Sequence, residues 1–405
     1  MWCLSCDPDK TTRWTSEKNK DIDECMKTFQ LRAYSYEDVI EWIPYNQLSD
    51  ITKIGKGGFG TVYSARWLDG IRKVERIDNK NNSNKTTWFD WIRKFVKFGN
   101  KNNSDMYKIS REPSSIVALK TLASSKENNF DILKEFKSHM KCKLNYSKLA
   151  IYGITQNTET KEFMMVFQYA NNGNLHNYLR KNFSVLTWQD KLQILNNISD
   201  ELQNIHDYAG YIHADFHSGN ILQDQQPYIQ KTYIADLGLS RKKEENILEG
   251  DIYGVMPYVA PEVLSGEQKF TQAADIYGFG VIMVEMTSGQ RPFDGCKFDT
   301  KLATKICKKG LRPECAPGTP QCYIELAKKC MHSEPQKRPR AVDISITIRD
   351  WLMNITSSND NEIKKHFLDA DKAINLLPIS KNSDEMYTSK IISTKLISKA
   401  IKELS

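Results

Sequence analysis

The chain has 405 residues, of which 40% are hydrophobic and 26% are charged, a balance that suits one large or two smaller globular units with a buried core. No run approaches the 18 apolar residues of a membrane span, and the first residues lack the apolar centre of an export signal, so we expect an intracellular, cytoplasmic protein. The net charge of +7 is uneven, since residues 71–112 hold eleven Lys and Arg against five Asp and Glu. The rest is nearly neutral, which argues against a general nucleic-acid binder.

Residues 1–47 form an N-terminal extension. Cys3 and Cys6 make a C-x-x-C pair, which is either one half of a zinc site or two reduced thiols at a disordered end, because a structural zinc needs about four ligands. A helix is predicted over residues 22–36. Residues 41–45 place aromatic side chains beside a proline, and we expect this segment to pack against the β-rich region that follows.

A glycine-rich run, G-x-G-x-x-G, occupies residues 55–60. Both flanks, residues 51–54 and 62–65, read as strands, whereas a dinucleotide-binding loop would run from a strand into a helix. Glycines let the backbone approach phosphate groups closely and present its N–H groups to them. Taken alone, the run could also be an ordinary glycine-rich hairpin.

Residues 71–112 read as a basic insertion, of which residues 79–85 are predicted to be disordered. A basic amphipathic helix is predicted at 88–97, where the apolar side chains fall at helical spacing. They are Trp88, Trp91, Ile92, Phe95 and Val96. Such a helix can fold back on its own domain, dock into the groove of a partner or lie on an anionic membrane surface.

An apolar strand, residues 117–120, ends in Lys120 and matches the pattern whose lysine holds the α- and β-phosphates of a nucleotide. The ammonium needs a carboxylate to hold it, and Glu135, in the helical-looking stretch 130–136, is the candidate. Glu127, in a Ser/Asn-rich loop, is the alternative. Further on, an apolar strand ends near residue 168, and a core helix is predicted from about 186 to 206.

Residues 213–220 carry the most informative pattern in the chain. Asp215 is followed five residues later by the amide of Asn220, and Asp236-Leu237-Gly238 comes sixteen residues after that. One proton acceptor beside two oxygen ligands for Mg²⁺ is what transfer of a phosphoryl group to a hydroxyl requires. The spacing of Asp215 and Asn220 alone occurs by chance, so the interpretation depends on the order of all the motifs.

The remaining motifs are Ala-Pro-Glu at 260–262, a run that begins with Asp275, and Arg338-Pro339. In this order, the motifs over residues 48–352 resemble those of the eukaryotic protein kinases. The resemblance implies an α+β, bilobal fold with a small β-rich N-lobe and a larger, mainly helical C-lobe. It also implies ATP and Mg²⁺ as cofactors and a protein substrate. Residues 353–405 would then be a polar helical tail with a loosely ordered end.

The resemblance implies specific roles for individual residues. Asp215, Lys120 and Asn220 would be catalytic, and Asn220 and Asp236 would bind the metal ion. We expect His213 to be structural, beneath residues 236–238. The nucleotide site would comprise Ile54, Gly55, Lys56, Gly57, Gly58, Phe59, Gly60, Val62, Ala118, Lys120, Glu135, Phe167, Gln168, Tyr169, Ala170 and Asp236. Phe167 would narrow the pocket behind the adenine, and residues 168–170 would contact the adenine through their backbone.

Three further residues are expected to stabilise the large lobe. Glu262 and Arg338 would form an ion pair, and Asp275 would hold the backbone of the catalytic loop. All three are assigned structural rather than catalytic roles.

Three positions depart from the usual kinase pattern: Ala214, His217 and Val255. Ala214 stands where kinases that depend on activation-loop phosphorylation carry the arginine that binds the loop phosphate, so we expect little such dependence despite candidate acceptors at Ser240 and Tyr253. His217 and Val255 blur the choice of substrate, with Ser/Thr favoured over Tyr.

The pattern as a whole resembles the tyrosine-kinase-like group of serine/threonine kinases. Residues 42–46 and 367–372 further resemble a kinase family that is expanded in certain fungi.

The alternative function is that of a pseudokinase, acting as a nucleotide-binding scaffold or allosteric module. Pseudokinases commonly lack the strand lysine, the catalytic aspartate or the metal-binding aspartate. Because Lys120, Asp215, Asn220 and Asp236 are all present, we favour an active, signalling protein kinase.

Overall fold

The computed structural model describes residues 7, 13–16, 19–57, 60–77, 95–98, 105–122, 129–144, 148–225, 230–242, 250–372 and 381–403. The chain divides into two compact units, one of residues Met1–Met140 with Ala150–Tyr169 and the other of Lys141–Leu149 with Ala170–Ser405. Among the described helices, none has the length and apolar character needed to cross a membrane.

The N-terminal unit is rich in β-structure. Its strands are β1 (Glu41–Trp42), β2 (Leu48–Gly57), β3 (Gly60–Trp67), β4 (Ile71–Ile77), β5 (Phe95–Phe98), β6 (Asp105–Glu112), β7 (Ser115–Thr121), β8 (Ile151–Gln156) and β9 (Phe163–Gln168). Six of them form a sheet in the order β1-β8-β9-β7-β3-β2. The β1–β8 pair is parallel and the other pairs are antiparallel.

The core of this unit lies on one face of the six-stranded sheet. In β7, Val117 and Leu119 are buried while Ile116 is half exposed, the alternation expected of a strand with one face on a core. They pack with Trp67 of β3 and Val166 of β9. This packing determines the face of the sheet on which each side chain of β7 lies.

The N-terminal extension is part of the same unit. Helix α1 (Lys20–Gln30) begins at the side-chain cap of Asn19, and its Phe29 ring meets Phe136 edge-on at 5.9 Å between ring centroids. Phe136 belongs to helix α2 (Asn129–Leu144). The predicted helix over 22–36 is therefore too long, since the chain leaves the helix after Gln30. Strand β1 confirms that residues 41–45 pack against the sheet, with Ile43 fully buried.

The insertion contains a three-stranded antiparallel sheet in the order β4-β6-β5. The predicted helix over 88–97 is wrong at its C-terminal end, because β5 pairs with β6 from Phe95 opposite Lys108 to Phe98 opposite Asp105. The run Phe-Val-Lys-Phe has high β-propensity, and pairing with a long neighbouring strand outweighs its local helical spacing. Trp88, Trp91 and Ile92 of the predicted helix, and residues 79–85, lie outside the described residues.

The C-terminal unit is mainly helical. Its helices are α3 (Leu175–Asn182), α4 (Trp188–Gln203), α5 (Pro261–Leu264), α6 (Gln272–Ser288), α7 (Thr300–Lys308), α8 (Gln321–Cys330), α9 (Ala341–Thr356), α10 (Glu362–Asp371) and α11 (Thr394–Glu403). Helix α6 is buried along almost its whole length and forms the centre of the core. Helix α4 confirms the core helix predicted over 186–206; it starts at a capping box in which Thr187 and Asp190 satisfy each other's backbone N–H groups.

Three short strand pairs complete this unit. The strands are β10 (Tyr211–Ile212), β11 (Ile221–Gln225), β12 (Gln230–Ile234), β13 (Arg241–Lys242), β14 (Ile252–Gly254) and β15 (Lys390–Ile392). They pair as β10 with β13, β11 with β12 and β14 with β15, all antiparallel. The end of the tail is thus a strand and a helix with buried Ile392, Ile397 and Ile401, contrary to the loosely ordered end that the sequence suggested.

Candidate functional site

The glycine run forms the turn between β2 and β3, where Gly57 pairs with Gly60; Gly58 and Phe59 lie outside the described residues. Gly60 has φ +153°, and a Cβ there would stand 2.3 Å from the carbonyl oxygen of Thr121. At Gly55, by contrast, a Cβ would meet no atom of the described residues within 4 Å. Glycine at 60 is therefore required by the close approach of β7, whereas glycine at 55 leaves room for a ligand.

Lys120 lies near the end of β7, paired with Val62 of β3. Its Nζ is 2.7 Å from Oε1 of Glu135 on α2, and both residues are more than nine-tenths buried. The predicted ion pair is present. The alternative carboxylate, Glu127, lies outside the described residues.

Phe167 lies in β9 beside Ala118 of β7. It is buried, and its ring meets the ring of His139 on α2 edge-on at 5.2 Å between centroids. The backbone N–H of Gln168 donates to the carbonyl oxygen of Ala150 at 2.9 Å. That N–H group is therefore hydrogen-bonded within the N-terminal unit.

Asp275 of α6 anchors the loop that carries Asp215. Its carboxylate accepts the backbone N–H of His213 at 2.8 Å and of Ala214 at 3.0 Å, and lies 2.8 Å from Nε2 of His206. Ala214 is buried with φ +66°, a left-handed conformation that costs an alanine about 1–2 kcal/mol. The hydrogen bonds to Asp275 offset this cost, and they confirm the structural role predicted for Asp275.

His213 and the hairpin of β11 and β12 fix the other side of the loop. His213 Nε2 lies 2.9 Å from the carbonyl oxygen of Ala235, so the structural role predicted for this residue is confirmed. The hairpin pairs Ile221 with Ile234, and the N–H of Ala235 donates to the carbonyl oxygen of Asn220 at 2.8 Å. Asn220 and Asp236 consequently flank the same end of the hairpin.

The amide of Asn220 is oriented by Asp215. Its Nδ2 donates to the backbone carbonyl oxygen of Asp215 at 2.9 Å and lies 3.4 Å from Oδ2 of the same residue. The amide oxygen is then the end of Asn220 that can face a cation. Burial raises the pKa of Tyr253, and the charges of Asp215 and Asp236 raise it further.

These groups suit Mg²⁺ better than a transition metal. Mg²⁺ takes oxygen ligands and is commonly held by one or two protein side chains, with phosphate and water completing its coordination. Within the described ranges, no cluster of three or more His, Cys, Asp or Glu forms a metal centre. The predicted Cys3 and Cys6 pair lies outside those ranges.

The carboxylate of Asp215 also accepts a hydrogen bond from the tail. Ser389 Oγ donates to Asp215 Oδ2 at 2.7 Å, and His217 Nε2 lies 3.2 Å from the same hydroxyl oxygen. His217 Nδ1 accepts the N–H of Gly219 at 3.1 Å, so Nε2 carries the hydrogen and donates to Ser389. The sequence offered no signal for Ser389, which lies 174 residues from Asp215 in a segment without a motif.

The ion pair predicted in this unit is confirmed, since Arg338 binds both oxygens of Glu262 at 2.8 and 2.7 Å.

The two candidate phosphate acceptors differ in access. Ser240 is buried and donates to the carbonyl oxygen of Leu237, whereas Tyr253 is half-buried in β14. Val255 is buried in the core.

Comparison with known proteins points to one family. A probable serine/threonine-protein kinase of Dictyostelium discoideum, roco5, is 33% identical over 49% of the chain and 8% of its own length. A second Dictyostelium protein of that description is 24% identical over 79% of the chain and 16% of its own length. A probable LRR receptor-like serine/threonine-protein kinase of Arabidopsis thaliana is 27% identical over 53% of the chain and 25% of its own length. The chain thus spans at most a quarter of each of these relatives.

The family match covers most of the site. The profile described as protein tyrosine and serine/threonine kinase matches residues 96–348, which include Lys120, Glu135, Asp215, Asn220 and Asp236. With the β-rich N-terminal unit and the helical C-terminal unit, this match shows that the chain belongs to the protein tyrosine and serine/threonine kinase family.

Proposed function

We propose that the chain is an active protein kinase that transfers the γ-phosphoryl group of ATP, with Mg²⁺, to serine or threonine hydroxyls of a protein substrate. The observation that carries the proposal is the intact Lys120–Glu135 ion pair, since the strand lysine is among the groups that pseudokinases commonly lose. Asp215 and Asn220 add to it, because the Asn220 amide donates to the backbone carbonyl oxygen of Asp215 and lies 3.4 Å from its carboxylate, which holds the two side chains together. The names of the relatives favour serine and threonine over tyrosine.

Each residue has a defined part in the proposed reaction. MgATP supplies the phosphoryl group. Lys120 holds the α- and β-phosphates, and residues 55–60 cover them with backbone N–H groups. Asn220 and Asp236 hold Mg²⁺ by their side-chain oxygens. Asp215 aligns the substrate hydroxyl and accepts its proton late in the transfer, as a loose transition state requires.

We further propose that residues 48–352 form a bilobal kinase domain, with one lobe in each of the two units. The extension 1–47 and the tail 353–405 would flank this domain. The pattern around His217 supports membership in the tyrosine-kinase-like group, and residues 42–46 support the family expanded in fungi. We also propose that the reaction takes place inside the cell, in the cytoplasm, where ATP is available.

The proposal is tested by ATP turnover with casein as a generic protein substrate. Asp215→Asn and Lys120→Met should each lower turnover by about 10²–10⁴-fold, because Asp215 acts on the acceptor hydroxyl and Lys120 positions the phosphates of ATP. Nucleotide binding, measured by calorimetry, should persist in Asp215→Asn, since Asp215 acts on the hydroxyl. Wild-type turnover no greater than that of the variants, despite nucleotide binding, would instead indicate a pseudokinase.

A further inference from the structure

We propose that residues 381–403, the tail segment, bind as an intramolecular substrate and that Ser389 is a site of autophosphorylation in cis. The inference rests on the proposed function, since it requires an active kinase. The inference identifies one acceptor hydroxyl for the proposed active site, and it identifies the neighbouring residues that the active site recognises.

The start of the tail segment is held by polar contacts. Asp294 accepts the backbone N–H groups of Lys381 and Asn382 at 2.7 and 2.8 Å. Arg291 Nη2 lies 2.7 Å from Asp384. Because these contacts use both backbone and side-chain groups, they fix the direction in which the segment enters the site.

Tyr387 is the apolar anchor of the segment. It is buried, its ring meets Phe298 edge-on at 5.0 Å between centroids, and the guanidinium of Arg291 lies 3.9 Å from its centroid. Its hydroxyl donates to the carbonyl oxygen of Pro292 at 3.0 Å. The aromatic side chain two residues before Ser389 therefore makes contacts through both its ring and its hydroxyl.

After Ser389 the chain adds a strand to the segment that follows Asp236. Strand β15 pairs antiparallel with β14, with Lys390 opposite Gly254 and Ile392 opposite Ile252. Addition of an extended peptide to an exposed strand is a general mode of peptide recognition, in which backbone bonds give affinity and alternate side chains give specificity. Here Ile392 is buried while Ile391 is 71% exposed, so the third residue after Ser389 is the one that the site selects.

Helix α11 fastens the end of the segment. It packs against α5 and α7, and Thr394 at its start donates to the carbonyl oxygen of Gly250 at 3.0 Å. Ile397 is 2% exposed, whereas its neighbour Leu396 is 61% exposed. The buried face of this helix therefore holds the segment in place from beyond the acceptor residue.

Between these anchors, Ser389 has the position of a substrate hydroxyl. Its Oγ donates to Asp215 Oδ2 at 2.7 Å and accepts from His217 Nε2 at 3.2 Å. A general base must lie within hydrogen-bond reach of the proton it removes, and this contact meets that requirement. The hydroxyl proton thus points at Asp215, which leaves a lone pair of Oγ available for phosphorus.

In the reaction, Ser389 Oγ forms a bond to the γ-phosphorus of ATP as the bond from that phosphorus to the β,γ-bridging oxygen breaks. The bridging oxygen keeps the electron pair and leaves with ADP, and the hydroxyl proton passes to Asp215. The product is a phosphoserine beside a buried carboxylate. Like charges at this distance repel, so phosphorylation weakens the binding of the tail segment.

The test maps phosphorylation sites by mass spectrometry on the full-length, dephosphorylated chain incubated with Mg²⁺ and ATP. Protein concentration is varied about 100-fold, because an intramolecular step has an effective concentration that dilution does not change. We expect Ser389 to be phosphorylated with the same first-order rate constant throughout. Asp215→Asn should abolish the modification, and Thr388→Ala, which removes the neighbouring hydroxyl, should preserve it.

A matched pair of variants tests the binding of the tail segment. Ile397→Glu places a charge on the buried face of α11, and at low protein concentration it should lower the rate of Ser389 phosphorylation at least about tenfold. Leu396→Glu, on the exposed face, should leave the rate unchanged. Casein phosphorylation by Ile397→Glu at or above the wild-type rate would show that this variant is folded and that its site is open.

Casein in a parallel reaction separates the two proposals. Phosphorylated casein with unmodified Ser389, or with a Ser389 rate that falls in proportion to dilution, would overturn the inference and leave the proposed function intact. Ser389 phosphorylation without casein phosphorylation would support the inference. If neither were phosphorylated, the proposed function would be overturned together with the inference.

Discussion

Ala214 and His217 lie on either side of Asp215 and contribute to the site in different ways. Ala214 supplies only its backbone, which adopts a left-handed conformation and donates to Asp275. An alanine in this place cannot bind a phosphate. His217 supplies its ring, whose Nε2 contacts the hydroxyl of Ser389. We infer that His217 orients the acceptor hydroxyl. Serine/threonine kinases usually have a lysine at this position.

Lys191 on α4 is a buried cation whose effect on stability depends on pH. It is 2% exposed, and its Nζ lies 4.2 and 5.1 Å from the ring centroids of Phe183 and Trp188. Burial lowers the pKa of Lys191 to about 8, although the charge of Asp371 acts in the opposite direction. The folded state therefore binds the ammonium proton more weakly than the unfolded chain does, although the lysine is still charged at neutral pH.

Lys191→Met should raise the free energy of unfolding by about 1–3 kcal/mol at pH 7, where the lysine is charged in both states and its burial is costly. Between pH 8 and about 10.5 the unfolded chain binds more protons than the folded one, so the wild type gains stability as pH rises and the difference should shrink. Urea unfolding at pH 7 and 9.5 measures both values. A methionine variant that is less stable at pH 7 would contradict this account.

At the scale of elements, the described part of the segment between Asp236 and Glu262 is held by protein contacts at two points. Strand β14 in its middle pairs with β15, and its downstream end enters α5, where Glu262 binds Arg338. The segment therefore has two anchors of its own. This arrangement fits the absence of an arginine at position 214.

The double variant Ser240→Ala, Tyr253→Phe removes both candidate phosphate acceptors of this segment. We expect its initial rate of casein phosphorylation to stay within about twofold of wild type, because no arginine at 214 is present to bind a phosphate. The matched thermal unfolding curves should also agree. A loss of tenfold or more in a variant of unchanged stability would show that phosphorylation of the segment is required.

The Glu262–Arg338 pair should be important for stability. Arg338→Met leaves a buried carboxylate unpaired and should lower the free energy of unfolding by about 3–5 kcal/mol. The double variant Glu262→Gln, Arg338→Met removes the charge as well and should recover part of that loss. Chemical denaturation of the three proteins gives the comparison, and equal losses in the single and double variants would refute the assignment.

For the whole molecule, the motifs that lie on local elements were predictable. The spacing of Asp215, Asn220 and Asp236 corresponds to one loop and one hairpin. Glu135 was the predicted partner of Lys120 because it lies in a helical-looking stretch, and the ion pair is present. Such features depend on residues close in sequence, whose periodicity and turn residues are visible without a structure.

The features that sequence reasoning missed depend on distant pairing. Phe95–Phe98 carries helical spacing but pairs as a strand, since the neighbouring strand β6 decides its conformation. Lys390–Ile392 is too short to show a period, and its partner β14 lies more than 130 residues earlier in the chain. The contact of Ser389 with Asp215 could not be inferred for the same reason.

The most direct test of the central claim, that this chain is an active serine/threonine kinase, is a phosphorylation profile on a position-scanning peptide array. We predict transfer to serine and threonine peptides, strongest with an aromatic residue two positions before the acceptor and an aliphatic residue three positions after it. This preference follows from the buried places of Tyr387 and Ile392. An array with no peptide labelled above the level of Asp215→Asn, or labelled on tyrosine alone, would contradict the account.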